Sequence, residues 1–370
     1  MKIPELKEQI LPLQQALGRI GLALLASLQT IDAASLASGY EFPSILTRGF
    51  VSMTLVTPGN FKDNLIRSEN RPQELAQFCE SLSKYYQKYS WPEDPCGKIE
   101  WQANLRTRNG HPLIYAAFGN GPQTTLVLGG VHPNELTPIP MAFRFAHLLA
   151  AGGGGVNLSG VRVIVAPIVN PDGFMRAKPL RTNETGIDVN RNFFTMDWYG
   201  RALSWWHTGE KKRDHFPGYF PNSEIETLFQ IRLIDDFSPD KIISIHAPLG
   251  FLDYDGPGDR QLGTLTAHET RARGLVYEMA KKSNHYRVAD YSFYPGSLGN
   301  FAGNERNIPT VTLELETTNP HKVNAYWTQF LPGLVDAVQY SFRRQVENKD
   351  TPPPFSSHYS EMEKTHDKKL

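Results

Sequence analysis

The sequence predicts an α/β fold: a mixed, largely parallel central sheet flanked by helices, preceded by a mainly helical N-terminal extension. Two observations carry this. From Gly97 onward, apolar runs of strand length alternate with amphipathic runs of helix length. The strand-length runs are also nearly continuous in apolar residues, as expected of strands covered on both faces.

The clearest strands are TLVLGGV (Thr125–Val131), VRVIVAPIV (Val161–Val169), KIISIHA (Lys241–Ala247) and PTVTLELE (Pro309–Glu316). Between and after them lie helical candidates at Thr137–Ala150, Glu224–Phe237, Arg271–Ser283 and Asn324–Glu347. The chain is thereby divided into an extension over 1–98, an α/β domain over 99–348 and a tail over 349–370. The tail contains Pro352, Pro353 and Pro354 and then a dense run of charge. Such a composition buries too little apolar area to offset its ordering entropy, so a disordered tail is expected. Four glycines at 152–155 are followed by no Lys-Ser or Lys-Thr, which argues for a surface turn and against a phosphate-cradling loop.

At 370 residues the chain exceeds the usual single-domain size, and with 40% hydrophobic residues it holds a large core. Basic and acidic residues balance at 38 each, so bulk charge gives no reason to expect nucleic acid or an anionic membrane as partner. Cys79 and Cys96 are the only cysteines. That excludes a disulfide-dense scaffold and a cysteine-built metal site, and leaves one optional disulfide. Near the N-terminus, Ile20–Leu28 (IGLALLASL) follows Arg19 and precedes small residues, like a secretory signal. It is too short to span a bilayer. Glu5 and Glu8, with apolar residues at helical spacing through Ile10, Leu13, Ala16 and Ile20, equally describe an amphipathic helix. Location therefore stays open between the periplasm or cell envelope and the cytoplasm.

Directly after the first clear strand comes GGVHPNEL, which places His132 and Glu135 three residues apart at a strand-to-loop transition. Imidazole and carboxylate suit zinc, and a catalytic zinc site takes three protein ligands with one position open. His246 is the candidate third ligand. It stands at the carboxyl end of the strand IISIHA, the edge where ligands gather in open α/β sheets. Taken alone, a histidine there is more often a hydrogen-bonded core residue. The nine other histidines have no ligand-like spacing partner and read as structural or solvated.

Five ordered motifs then resemble the zinc carboxypeptidase family of the carboxypeptidase A type, over roughly residues 97–348. They are HPNE (His132–Glu135), VNPDGF (Val169–Phe174), GIDVNRNF (Gly186–Phe193), SIHA (Ser244–Ala247) and TLELE (Thr312–Glu316). The resemblance implies one zinc ion, and Glu314 as the carboxylate that takes a proton from the attacking water and returns it to the leaving amine. Glu316 shares the strand face with Glu314, and only the family register separates them. It also implies Arg181 as the oxyanion-stabilising arginine, with Arg176 as the fallback. Asn190 and Arg191 match the pair that grips the terminal carboxylate. In YSFYPGSLG, aligning Gly296 and Ser297 with the family's Gly-Ser implies Tyr291 as the substrate-capping tyrosine and Leu298 as the pocket base, with Tyr294 the competing tyrosine.

The segments RTNETGIDVNRNF and PGSLGNFAGNERNIPTVTLELE are closer to bacterial murein peptide amidases, which cleave the γ-D-glutamyl to diaminopimelate bond. The resemblance thus implies a peptide substrate with a free C-terminal carboxylate, drawn from murein. Following His246, FLDYDGPGD supplies Asp253, Asp255 and Asp259. Asp253 or Asp255 is the candidate partner for a substrate ammonium, and a solvated acidic turn is the alternative. Competing readings are a carboxypeptidase releasing apolar L-residues, favoured by Leu298, an N-acyl-amino-acid deacylase on the same scaffold, and a binding module without catalysis. PGSLG lacks the first glycine of a serine nucleophile elbow, so a serine hydrolase is rejected.

Overall fold

The computed structural model describes residues 72–209, 212–258 and 265–342. The chain divides into two compact units, Met1–Ile66 and Arg67–Leu370, and every described residue belongs to the second. The signal-like stretch Ile20–Leu28, Asp259 and the tail over 349–370 lie outside the described residues.

Eight strands form one sheet: β1 (Gln102–Arg106), β2 (Pro112–Phe118), β3 (Gln123–Leu128), β4 (Val161–Ala166), β5 (Lys241–His246), β6 (Phe251–Tyr254), β7 (Val288–Ala289) and β8 (Thr310–Glu314). Their order is β1-β2-β4-β3-β5-β8-β6-β7. The four central strands, β4, β3, β5 and β8, are mutually parallel. β3 and β5 are buried at every position, which is why their sequences read as unbroken apolar runs. Antiparallel pairing of β1 with β2, β2 with β4 and β6 with β8 makes the sheet mixed.

Five principal helices accompany the sheet: α1 (Pro72–Lys88), α2 (Pro138–Ala150), α3 (Ile225–Phe237), α4 (Ala267–Lys282) and α5 (Val323–Gln339). α2 packs against β2, β4 and β5, α3 against β1 and β3, and α4 against α5. α4 starts four residues before the expected Arg271, because Thr266 accepts from the Glu269 amide while the Glu269 side chain bonds back to the Thr266 amide. α5 ends at Gln339 instead of running to Glu347. The Tyr340 carbonyl, released from the helix, instead accepts hydrogen bonds from Gln123 Nε2 (2.7 Å) and Lys241 Nζ (2.9 Å) at the starts of β3 and β5.

The described part of the expected extension belongs to the main core. Phe78, Leu82 and Tyr86 recur at four-residue intervals on α1 and are buried. Tyr86 meets Trp91 and Phe143 edge-on at ring separations of 5.0 and 6.0 Å. A disulfide joins Cys79 on α1 to Cys96 in the loop before β1. The described residues before 98 thus pack on the same core as the sheet and α2.

Candidate metal centre and active site

The site forms where β3, β5 and β8 end. After β3, Gly129 and Gly130 turn the chain. Gly130 has φ +59° and lies against Ile139 and Ile168, so a side chain there meets both strain and a clash. The turn delivers His132, whose carbonyl accepts from the Glu135 amide at 2.9 Å just before α2 begins. His246 is the last residue of β5, which pairs in parallel register with β3. His132, Glu135 and His246 are all at most 5% exposed, and their ligand atoms lie within 4.8 Å of one another.

Protonation geometry decides what this triad is for. His132 Nε2 lies 2.9 Å from Asp188 Oδ1, and an ionised carboxylate only accepts, so Nε2 carries the proton. Nδ1 is then the ring atom whose lone pair a metal takes. That lone pair faces His246 Nδ1 at 3.1 Å and Glu135 Oε1 at 2.9 Å, while His246 Nδ1 lies 3.0 Å from Glu135 Oε2. With His246 Nδ1 deprotonated as well, the three atoms form a donor set that fits a cation. Zinc bonds of about 2.0 to 2.2 Å at tetrahedral angles hold ligand atoms about 3.3 Å apart, close to these separations. Burial opposes ionisation of Glu135, but His132 and His246 outweigh it and hold its carboxyl far below the usual range. Burial likewise opposes the charged form of His246, and the Glu135 carboxylate overcomes it and raises that pKa.

Asp188 is the functional residue that sequence reasoning missed. It is fully buried and accepts from His132 Nε2, from Arg181 Nε at 2.8 Å and from the Asn190 amide at 2.9 Å. Burial disfavours its charge, yet Arg181 and then His132 hold its carboxyl well below the usual range. The signal was present in GIDVNRNF, as an acid two residues ahead of the Asn-Arg pair. Arg181 bridges Asp188 to the metal triad, donating from Nη1 to Glu135 Oε1 at 3.1 Å. Arg176, the fallback, pairs instead with Glu184.

Glu314 ends β8 directly beside His246 in the parallel register. Burial pushes its carboxyl up to about 7; His246 pulls against that and Glu135 adds to it. Its Oε2 accepts from the Leu249 amide at 3.3 Å. Glu316 lies past the strand end, exposed, and its charge acts on Tyr286 and Tyr326. Geometry therefore gathers Glu314, and not its rival, around the triad.

Asn190 Oδ1 accepts from the Leu298 amide at 2.8 Å, and Leu298 itself is buried. Ser297 Oγ accepts from the Asn300 amide at 3.1 Å. The Arg191 guanidinium lies 4.4 Å from the Tyr294 ring centroid, and Tyr294 in turn meets Trp205 edge-on at 5.5 Å. Tyr291 instead stacks on Phe251 at 4.9 Å, and its amide donates to Asp253 Oδ1 at 2.9 Å. Tyr291 and Tyr294 are equally exposed at 45%. Asp253 lies on β6 and is not part of a solvated turn, whereas Asp255 accepts from Thr312 Oγ1 and its charge reaches Arg191. The structure thus brings His132, Glu135, His246, Arg181, Asn190, Arg191 and Glu314 together, with Tyr294 over Arg191 and Asp255 behind it.

Residues 105–332 match the zinc carboxypeptidase family. Murein peptide amidase A of Escherichia coli strain K12 is 32% identical over 144 residues, covering 34% of this chain and 58% of that protein. The chain thus spans 58% of the length of that relative. The protein of the same name from Vibrio campbellii is 28% identical over 211 residues, covering 56% of this chain and 75% of that protein. Among solved structures, bovine thrombin-activatable fibrinolysis inhibitor bound to tick carboxypeptidase inhibitor aligns with TM-score 0.54 at 16% identity, covering 73% of this chain and 96% of that one. Helicoverpa armigera carboxypeptidase A aligns with TM-score 0.54 at 16% identity, covering 68% and 72%. At those identities the likeness is one of fold.

Proposed function

The chain belongs to the zinc carboxypeptidase family, and from that premise we propose that it hydrolyses the C-terminal amide bond of peptides, specifically the γ-D-glutamyl to diaminopimelate bond of murein peptides. The observation that carries the reading is the convergence of His132, Glu135 and His246 with Glu314 one strand away and Arg191 within electrostatic reach of the same network.

Zinc held by His132, Glu135 and His246 supplies a Lewis acid that polarises a carbonyl and acidifies water. The remaining roles fall to the chain. Arg191, with Asn190, takes the free carboxylate of the terminal residue through its planar donor fork. Glu314 accepts the proton of the attacking water at its carboxylate and delivers it to the leaving nitrogen. Arg181, fixed by Asp188 and Glu135, places positive charge where the carbonyl oxygen becomes anionic. Tyr294 covers Arg191 and shields the bound carboxylate from water.

The murein substrate is supported by two relatives named murein peptide amidase A and by the acidic end of β6. Terminal diaminopimelate carries a second zwitterionic centre, and Asp255, whose charge reaches Arg191, suits its ammonium. Buried Leu298 favours the second reading, release of apolar terminal residues. Incubating the zinc-loaded protein with purified muropeptides and with a dipeptide ending in Phe, and identifying products by mass, separates the two. Cleavage of the Phe dipeptide alone overturns the murein reading. Full activity in Glu314→Gln overturns the mechanism.

The Cys79–Cys96 disulfide supports a location in an oxidising compartment, the periplasm or cell envelope, because such bonds persist there and are rare in the cytosol. Thiol trapping of the protein in intact cells tests this, and free thiols at both positions would refute it.

A further inference from the structure

We infer that Trp205 is a positioning residue for the substrate: it holds the Tyr294 ring over Arg191 and so sets how tightly a terminal carboxylate is bound there. The inference rests on the proposed function in one respect, that Arg191 is the group that takes that carboxylate.

Trp205 lies on the short helix Leu203–Thr208, which continues from the π-helical turn Trp198–Ala202. At the start of this segment, buried Trp198 donates from Nε1 to the Arg191 carbonyl at 2.9 Å. Gly296, in the loop of Tyr294, closes against the same two residues. Its φ is +76°, and a Cβ there would come within 2.1 Å of the Arg191 carbonyl oxygen and 2.7 Å of the Trp198 ring. Beyond Trp205, Trp206 donates from Nε1 to the Lys212 carbonyl at 2.8 Å and meets Phe216, whose own carbonyl accepts from the Asp188 amide at 2.8 Å. The helix that carries Trp205 is thereby fixed relative to Arg191, Asp188 and the Tyr294 loop.

From that helix Trp205 meets the Tyr294 ring edge-on, at 5.5 Å with 89° between the planes, a favoured arrangement for two aromatic rings. The Arg191 guanidinium lies over Tyr294 at 4.4 Å and the Arg201 guanidinium over Trp205 at 4.7 Å, so the two rings stand in contact with a cation on each. Neither ring joins the main hydrophobic core, and Tyr294 is 45% exposed. Burial therefore does not hold the phenol ring in place; its contacts with Arg191 and Trp205 do. Arg191 already gives Nη1 to the Asn190 carbonyl at 2.7 Å, and it must turn its remaining donors to an arriving carboxylate. Trp205 is the contact that stays when the carboxylate binds.

The test is the rate at which phenylglyoxal modifies Arg191 in the full-length, zinc-loaded protein, with the modified residue located by mass spectrometry. Trp205→Leu should speed modification by about 3- to 10-fold, as for the loss of one aromatic pair, and Trp205→Phe, which keeps a ring, should stay within about twofold of wild type. Tyr294→Ala should speed it as well, and adding Trp205→Leu to Tyr294→Ala should change nothing further, because the one acts through the other. On whichever of the muropeptide and the Phe dipeptide is cleaved, Trp205→Leu should raise KM by a similar factor and leave kcat within about twofold. Trp205→Met takes the place of Trp205→Leu should thermal melts show that the latter loses its fold. An unchanged modification rate in Trp205→Leu beside a faster one in Tyr294→Ala overturns the inference, and so do effects that add in the double variant. An unchanged rate in Tyr294→Ala removes the cover over Arg191 and the inference with it. Rates that move as expected while neither substrate is cleaved support the positioning role and refute the proposed reaction.

Discussion

Replacing Asp188 by Asn leaves every direct metal ligand untouched, so it isolates what the buried carboxylate does. The carboxylate accepts from His132 Nε2, Arg181 Nε and the Asn190 amide, and it is fully buried. An amide of the same shape offers one acceptor oxygen, so it satisfies either His132 or Arg181 and turns its NH2 toward the other. One charge-assisted hydrogen bond is lost, about 1.5–3 kcal/mol. His132 also loses the anion that fixes its tautomer. The expected result is a zinc affinity lower by about 10- to 100-fold, as for other carboxylates behind a ligating histidine. Competition with a fluorescent chelator measures this. The metal-free protein should also melt earlier, because Arg181 then retains Glu135 as its remaining carboxylate partner. At saturating zinc a deficit in kcat/KM should persist, since Arg181 is no longer held from both sides. Zinc affinity within twofold of wild type, together with an unchanged melting temperature, would refute the reasoning.

Glu314→Gln should lower kcat by about 10²- to 10⁴-fold while zinc affinity changes little, because the amide cannot take a proton; steady-state rates and chelator competition read the two effects separately. Serine at both Cys79 and Cys96 opens a disulfide of sequence separation 17, and loop-closure entropy sets the loss at about 3 kcal/mol. Urea unfolding measures it, and an unchanged midpoint would count against a structural role. Burial raises the Glu226 carboxyl to about 7, above its unfolded value of 4.5. Its contribution is therefore fully present below 4.5 and is lost as pH rises through 7, so Glu226→Gln should be more stable than wild type at pH 8, by up to about 3 kcal/mol, and should show no advantage at pH 4. Equal stability at pH 8 would remove that account. Tyr294→Ala should raise KM for a peptide with a free terminal carboxylate more than Tyr291→Ala does, since Tyr294 covers Arg191; the reverse order would restore Tyr291 as the capping residue.

The legible part of the fold is its centre. β4, β3, β5 and β8 are parallel and covered on both faces, and this removes the polar alternation that otherwise obscures strand limits. The strands at the margins left weaker traces. β1 carries a bulge between Ala103 and Leu105, which breaks its period, and β6 contains Asp253, which made the segment read as an acidic turn. α1 has a clear helical stripe, but a stripe does not name its partner. Only the fold shows that Tyr86 meets Trp91 and Phe143 and that Phe78 and Leu82 join the same core. Two cysteines likewise allow a disulfide without establishing one.

The site was legible to the extent that backbone register fixes it. His132, Glu135, His246 and Glu314 each stand at or just beyond a strand end, so counting along the strands places them with respect to one another. Counting fails in the loop that carries the two tyrosines. Residues 291–297 are anchored at both ends to different parts of the molecule. The Tyr291 amide is tied to Asp253 on β6, while Gly296 donates to Thr195 Oγ1 at 3.0 Å and accepts from the Phe193 amide at 3.0 Å. The second anchor draws Tyr294 toward the Asn190-Arg191 segment, and the first holds Tyr291 on Phe251. Distance from Gly-Ser along the chain therefore does not report distance from Arg191, because the loop is positioned by those two hydrogen-bonded anchors and has no period of its own. The same reasoning explains Asp188, whose importance lies in three donors contributed from His132, Arg181 and Asn190. One of them precedes it by 56 residues, a convergence that spacing within GIDVNRNF does not encode.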